Sequence, residues 1–459
     1  MTMPGFSVRG RKVAVVGAAR SGVAAAHLLV RRGARVTLTD QRGDVPEAAA
    51  LRAADVSLEL GGDARETLIG SDLVVLSPGV PADQPAVAAA CAAGVEVIGE
   101  LELASRWLRG RIVAITGTKG KSTTTTLTGR MLEAGGHHVL VGGNIGQALS
   151  AQVDASTDAT IHVVEASSFQ LETIVTFRPW IAVLLNISPD HLDRHATLEA
   201  YASAKARIFV NQTPTDWLVV NADDAAAMAM ASPAPSRKVQ FSMTDSLASG
   251  VLVRGDEIVR RTANGDQPLL PLASVRLIGR HLIADVLAAS AVASLAGVDS
   301  EAMTAAVEGF TGLEHALEPV AEFGGVLFVN DSKATNVEAA LRAIESFDAP
   351  VVIMGGRFKG GSLEVLRAPL ADRAGTVVAI GEARPLLQEA LGGVVPVHEV
   401  DDMRSAVRTA FASALPGAVV VLAPACASFD MFGDYAERGR VFKQEVLRLQ
   451  EDWNGVREQ

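Results

Sequence analysis

At 459 residues the chain is long enough for about three domains of ordinary size. Hydrophobic residues make up 49% and charged residues 20%, which excludes a disordered chain; a formal charge of −11 with only 4% aromatics disfavours a nucleic-acid or anionic-membrane surface. Two cysteines, Cys91 and Cys426, exclude a disulfide framework. No apolar run reaches the roughly 18 residues of a membrane span, and the basic N-terminus lacks the apolar stretch of a signal peptide, so a cytoplasmic protein without membrane insertion is expected.

The first predicted strand, 12–16 (KVAVV), leads into a helix near 21–32, followed by strands at 35–39 (RVTLT) and 73–76 (LVVL). Continuous apolar strands alternating with helices predict a parallel α/β sheet. The first strand runs into Gly17-Ala18-Ala19-Arg20-Ser21-Gly22. A dinucleotide fingerprint needs glycine where Ala19 stands, which opposes a plain NAD site and an NAD-dependent dehydrogenase. Asp40 ends the next strand, where a ribose-binding carboxylate would sit. A nucleotide-like ligand and a simple tight turn both fit these residues.

A second series opens at 111–115 (RIVAI) and runs into Thr116-Gly117-Thr118-Lys119-Gly120-Lys121-Ser122-Thr123, followed by a helical stretch. That context suits a phosphate loop. Backbone N–H groups and the helix N-terminus hold phosphates, Lys121 reaches the β- and γ-phosphates, and the Ser122 hydroxyl can ligate Mg²⁺. The glycines are separated by two residues where the common loop has four, so this is a shortened variant. Strand 161–164 (IHVV) runs into Glu165, and strand 181–186 (IAVLLN) into a loop holding His191. Ligands of open parallel sheets bind outside the carboxyl ends of strands, so Glu165 and His191 can converge on Ser122. Singly, each reads equally as a loop or capping residue.

Tyr201, Ala204, Ile208 and Phe209 share one helical face with Lys205. Such a lysine either extends its ammonium outward or, desolvated, loses its proton and adds CO₂ to give an anionic carbamate that suits Mg²⁺. Residues 237–278 read as small antiparallel strands, and a helix is expected near 281–296. A third α/β series follows GFTGL (309–313), with strands at 326–330, 350–354, 376–380 and 418–422. Its strand-end loops are NDSKATN (330–336), GGRFKGG (355–361) and PACASFD (424–430), which suit a small anionic substrate and a phosphate. Cys426 reads as a packed small residue. The expected domains are 1–99, 100–312 and 313–459.

Across all three domains the chain resembles the Mur ligase superfamily. The resemblance is carried by TGTKGKST, GGNIG (142–146), VVEASSFQLE (163–172), NISPDHLDRH (186–195), NDSKATN and PACASFD continuing into MFGDYAERG (431–439). The SSFQLE and ACASFD segments resemble the branch that adds D-glutamate to UDP-N-acetylmuramoyl-L-alanine. The resemblance implies a Rossmann-like N-terminal domain for the UDP-substrate, a central P-loop-type ATPase with a mostly parallel sheet, and a Rossmann-like C-terminal domain that closes over the amino acid. The implied activity is ATP-dependent amide formation through an acyl phosphate, in a monomer that builds cell-wall precursors.

By the same resemblance, Ser21, Asp40 and the turn Ser77-Pro78-Gly79 would hold uridine and diphosphate, and Asn144 and Gln170 would contact the muramoyl part. Ser122, Glu165, His191 and carbamylated Lys205 would serve two Mg²⁺ ions beside the ATP phosphates on Gly117–Thr123. Asp331 and Lys333 would reach ATP, while Thr335, Lys359, Ser428 and the backbone near Tyr435 would bind D-glutamate. Two departures stand out. The family's His-Asn-x-x-Asn on the adenine side is here His281-Leu282-Ile283-Ala284-Asp285, and the arginine often found after the hinge histidine is Ala316 after His315. Arg280 or Arg357 could substitute for the lost contacts.

Overall fold

The computed structural model describes residues 5–190, 194–195, 197–277, 279 and 282–457; His191, Arg280 and His281 therefore lie outside the described residues. The Val- and Ile-rich runs form strands because both of their faces are covered by helices. In the first sheet β1 (Lys12–Val16), β2 (Arg35–Asp40), β3 (Ser57–Leu60), β4 (Leu73–Leu76) and β5 (Glu96–Gly99) are all parallel, in the order β3-β2-β1-β4-β5. Leu29, Val36 and Leu38 pack on one face, and Val74, Leu76 and Val87 on the other.

The second sheet contains β6 (Arg111–Thr116), β7 (His138–Gly143), β8 (Thr160–Glu165), β9 (Ile181–Leu184), β10 (Trp217–Asn221), β11 (Arg237–Ser242), β12 (Gly250–Arg254), β13 (Glu257–Thr262) and β14 (Gly265–Pro271). Their order is β14-β13-β12-β11-β10-β9-β6-β8-β7. Only the β12–β13–β14 meander is antiparallel. The expectation of small antiparallel strands over 237–278 is thus corrected at its start: β11 runs parallel to both β10 and β12 and extends the main sheet.

The third sheet is formed by β15 (Glu318–Phe323), β16 (Val326–Asn330), β17 (Pro350–Gly355), β18 (Thr376–Ile380), β19 (Val397–Glu399) and β20 (Val419–Leu422), ordered β15-β16-β20-β17-β18-β19. Only β15 is antiparallel to its neighbour. The architecture is α/β throughout.

The first two sheets belong to one compact body that extends to Gly309, and the second body begins at Phe310. The boundary expected from the sequence in this stretch is 312. At the other expected boundary, helix Glu100–Ser105 joins two cores at once: Leu103 packs with the first sheet, Leu101 and Ala104 with the second. Its Glu102 carboxylate is buried and accepts the N–H groups of Val175 (2.9 Å), Thr176 (3.0 Å) and Phe177 (2.9 Å). Arg106 pairs with it at 2.9 Å.

Candidate active site

In each sheet the chemistry-bearing residues come from three adjacent strand ends. The central strand β6 lies between β9 and β8, with Ile115 beside Glu165 and Thr116 beside Leu184. The phosphate loop leaves β6 at Gly117 and enters helix Lys121–Ala134. Gly120 has φ +82°, and a Cβ there would sit 2.0 Å from the Asp285 carboxylate, so only glycine fits. Gly117 is similarly closed, with Leu185 Cβ 2.8 Å from where its own Cβ would be.

Asn186 shapes the loop. Its Oδ1 accepts the N–H of Thr118 (3.1 Å) and of Lys119 (2.8 Å), and its Nδ2 donates to Lys119 O at 3.1 Å. Thr118 Oγ1 donates to Ser188 O at 3.1 Å and accepts the Ser188 N–H at 3.0 Å. Lys121 Nζ donates to the carbonyls of Gly117 (2.9 Å) and Thr118 (2.8 Å), which places its ammonium over the loop.

Lys205 sits beneath. Helix Leu198–Ala206, capped by Thr197, carries it to the same loop. It is 1% exposed, its Nζ donates to Gly117 O at 2.8 Å, and the ammonium lies 4.7 Å from the Tyr201 ring centroid. The outward-reaching alternative for this lysine is therefore excluded. Burial, with help from the Lys121 charge, lowers its pKa to about 7. Tyr201, also buried, donates to Thr118 Oγ1 at 3.3 Å.

Glu165 is buried at the end of β8. Its Oε1 accepts Asn144 Nδ2 at 2.7 Å, whereas its Oε2 is buried with no hydrogen-bond partner. An orphaned carboxylate oxygen near a helix N-terminus bearing Ser122 suits a hard cation. Among the described residues no three His, Cys, Asp or Glu side chains cluster as a metal cage. The Glu165 carboxylate and the Ser122 hydroxyl are oxygen donors of the kind Mg²⁺ takes. Asp285, expected on the adenine side, is buried against Gly120 at the phosphate loop, and burial pushes its carboxyl well above the usual range.

At the first sheet, β1 lies between β2 and β4. Gly22 is the closely packed glycine of the turn, since a Cβ there would meet Gly17 O at 1.9 Å. The Asp40 carboxylate accepts the Ala18 N–H at 2.7 Å and pairs with Arg42 at 2.9 Å, and Arg42 holds it well below the usual carboxylate range. Ser21 lies half-buried at the start of helix Arg20–Arg31. Ser77, Pro78 and Gln170 come together, lining one narrow pocket between the first sheet's loop and helix Ser168–Glu172. Gly79 and Asn144 are exposed.

In the second body the loops after β16, β20 and β17 are neighbours. Lys359 Nζ donates to Thr335 Oγ1 at 3.4 Å, joining two of the expected amino-acid contacts. Ser428 is buried, and Lys333, Lys359 and Tyr435 are exposed. Asp331 accepts the Leu317 N–H at 3.3 Å, and burial raises its pKa to about 7. Arg438, fully buried, donates to Ser332 Oγ (3.0 Å), Ser332 O (2.9 Å) and Cys426 O (3.1 Å). Sequence reasoning passed over it, as it passed over Asn186, Arg42 and Arg194. Asn186, Arg194 and Arg438 lie in segments that carry the resemblance, but their roles come from tertiary contacts that the segments alone do not reveal.

The residues that carry these sites match known domains in chain order. Residues 11–99 match the Mur ligase MurD-like N-terminal domain, 115–293 the Mur ligase middle domain, and 317–426 the Mur ligase glutamate ligase domain. The chain is 48% identical to a UDP-N-acetylmuramoylalanine–D-glutamate ligase of Acidobacterium capsulatum, over 96% of this chain and 97% of that one. The chain belongs to the Mur ligase family. A ligase of the same description from Koribacter versatilis is 44% identical, over 97% of this chain and 99% of the relative. Among solved structures, UDP-N-acetylmuramate-alanine ligase from Thermotoga maritima aligns with a TM-score of 0.57 at 19% identity, covering 96% of this Mur ligase and 100% of that chain. A structure of UDP-N-acetylmuramoyl-L-alanyl-D-glutamate–2,6-diaminopimelate ligase gives 0.56 at 19% identity, over 96% and 93%. These two likenesses speak to the Mur ligase fold alone.

Proposed function

We propose that this Mur ligase joins D-glutamate to UDP-N-acetylmuramoyl-L-alanine at the expense of ATP, releasing ADP and phosphate, in the assembly of peptidoglycan precursors. The observation that carries the reading is its 43–48% identity, over nearly the whole chain, to ligases described by that reaction. A carboxylate is inert to amines until one oxygen becomes a leaving group. Phosphoryl transfer from ATP makes an acyl phosphate; the deprotonated amine of D-glutamate then attacks the acyl carbon and phosphate leaves.

Gly117–Thr123 cradle the phosphates, with backbone N–H groups and the Lys121 ammonium as their counter-charge. Ser122, Glu165, His191 and Lys205 would hold two Mg²⁺ ions, whose charge neutralises the transferring phosphoryl group. The near-neutral Lys205 supports a carbamate at this position: the free amine adds to dissolved CO₂, an N–C bond forms, and the proton leaves to solvent. His281 would serve the adenine, as the resemblance implies. Asp285, beneath Gly120, supports the phosphate loop more directly than it does the base. Asp331 and Lys333 serve ATP from the second body.

Ser21, Asp40, Ser77, Pro78 and Gly79 take the uridine diphosphate end, and Asn144 and Gln170 the muramoyl end. The pocket shared by Ser77 and Gln170 supports this grouping. Thr335, Lys359, Ser428 and Tyr435 take D-glutamate, two of them already in hydrogen-bond contact. The reading carries a cytoplasmic monomer with it; no helix among the described residues is long and apolar enough to cross a membrane. ADP release tests it. Steady-state release should require UDP-N-acetylmuramoyl-L-alanine and D-glutamate together, and steady release with ATP alone at the same rate would overturn it.

A further inference from the structure

The pocket that holds Ser77 and Gln170 has two walls from different parts of the chain. One wall is the segment after β4, including Ser77, Pro78 and Val80; the other is helix Ser168–Glu172, with Phe169 and Gln170. Three buried polar atoms around it lack partners: Ser77 Oγ, Glu100 Oε2 and Gln170 Nε2. Their residues are 2%, 1% and 3% exposed. Unpaired buried polar atoms are costly, so the three mark a place that a polar ligand group would satisfy.

Arg194 spans both walls. Its Nη1 donates to Pro78 O at 3.3 Å and its Nη2 to Val80 O at 3.2 Å. On the other wall, Nη2 donates to Glu172 Oε2 at 3.2 Å, and the guanidinium lies 4.2 Å from the Phe169 ring centroid. The neighbouring His195 ties the same segment to the helix, with Nε2 3.0 Å from Ser168 Oγ. A planar fork can serve two carbonyls, a carboxylate and a ring face at once; an ammonium cannot. These partners of Arg194, Pro78 and Val80 on one side and Phe169 and Glu172 on the other, all belong to the two walls.

From this geometry we infer that Arg194 is a positioning residue for the nucleotide-sugar substrate. It fixes the separation of the Ser77 turn and Gln170, and so the affinity for the substrate's polar groups between them. The inference rests on the proposed assignment of Ser77 and Gln170 to that substrate.

The test uses the full chain with Arg194→Ala, Arg194→Lys and Gln170→Ala. Calorimetric binding of UDP-N-acetylmuramoyl-L-alanine is measured without ATP, beside the KM for ATP and the melting temperature. Loss of three charge-assisted hydrogen bonds should weaken nucleotide-sugar binding by about tenfold or more in Arg194→Ala. Arg194→Lys, able to keep one carbonyl contact, should recover part of the loss. The KM for ATP should stay within about twofold. Should Arg194→Ala fail to fold, the same contrast in Arg194→Lys decides the matter. Unchanged nucleotide-sugar affinity in both Arg194 variants, or equal weakening toward ATP, would overturn the inference. If Gln170→Ala weakens binding while the Arg194 variants do not, the brace alone is wrong. If Gln170→Ala also leaves affinity unchanged, the pocket assignment falls and takes the inference with it.

Discussion

Lys205 is legible in the sequence only as a lysine on an apolar face; its meaning depends on where that face packs. Its Nζ ends 2.8 Å from Gly117 O, beneath the phosphate loop. At pH 8, above its pKa of about 7, most of it is neutral amine, the form that reacts with CO₂. Lys205→Ala should therefore lose Mg²⁺-dependent ADP formation while keeping its melting temperature, and wild-type protein in ¹³C-bicarbonate should show a carbamate carbon signal. Near-normal turnover of Lys205→Ala would remove the carbamate from the account. Asp285 calls for the opposite substitution. Burial raises its pKa, so the unfolded chain ionises first and the carboxyl weakens the fold as pH rises past the ordinary carboxylate range. Asp285→Asn removes that burden: it should melt higher than wild type at pH 8, by a margin that shrinks toward pH 4, and should lower the KM for ATP. A lower melting temperature at pH 8 would show that the carboxylate is stabilised in place. The sequence flagged Asp285 as a departure on the adenine side; its contact with Gly120 is tertiary and has no sequence signal.

Among the elements, the strands with long apolar runs were readable because parallel strands bury both faces. β3, β5, β7, β10, β15 and β19 have no counterpart among the expected strands; β10 (WLVVN) is a central strand whose short apolar run was passed over. The other five are edge strands, several of them short or half-polar as in SLEL and VHE, and an edge needs less apolar sequence to hold it. Strand order was equally hidden, and it is the order that brings β16, β20 and β17 together and sets Thr335 beside Lys359. Lys359→Ala should accordingly raise the KM for D-glutamate by about tenfold or more while leaving that for ATP within about twofold. Parallel rises in both would move Lys359 out of the amino-acid site. A second consequence lies inside β8. Burial lowers the pKa of His162 to about 4, and its Nε2 lies 2.7 Å from Ser156 Oγ. The folded state holds this imidazole neutral, and the unfolded chain protonates it below about 6.5. Its contribution is complete above that pH and is lost as pH falls toward 4, by about 3 kcal/mol at most. Wild type should therefore lose more melting temperature than His162→Gln between pH 7.5 and pH 5. An equal loss would assign the acid sensitivity elsewhere.

For the whole molecule, three sheets place three sets of strand-end loops along one chain, and family likeness joins them into one reaction. The phosphate loop, Glu165 and the small-residue loops of the third sheet were legible because each follows an apolar strand. The geometric roles of Asn186, Arg194 and Arg438 were not, although all three lie in segments that carry the resemblance, because they work through tertiary contacts, mostly to backbone carbonyls and amides. The central claim is the identity of the amino acid. Swapping the enantiomer displaces either the amine from the acyl carbon or a carboxylate from its donors, and an unpaired charge in such a site costs about 2–5 kcal/mol. The direct measurement is amide product formed from UDP-N-acetylmuramoyl-L-alanine and ATP with D-glutamate, L-glutamate, L-alanine or L-lysine supplied separately. D-Glutamate should be used faster than any other by a factor of tens to thousands. Equal or better use of any of the other three would contradict the account and assign this Mur ligase to a different step.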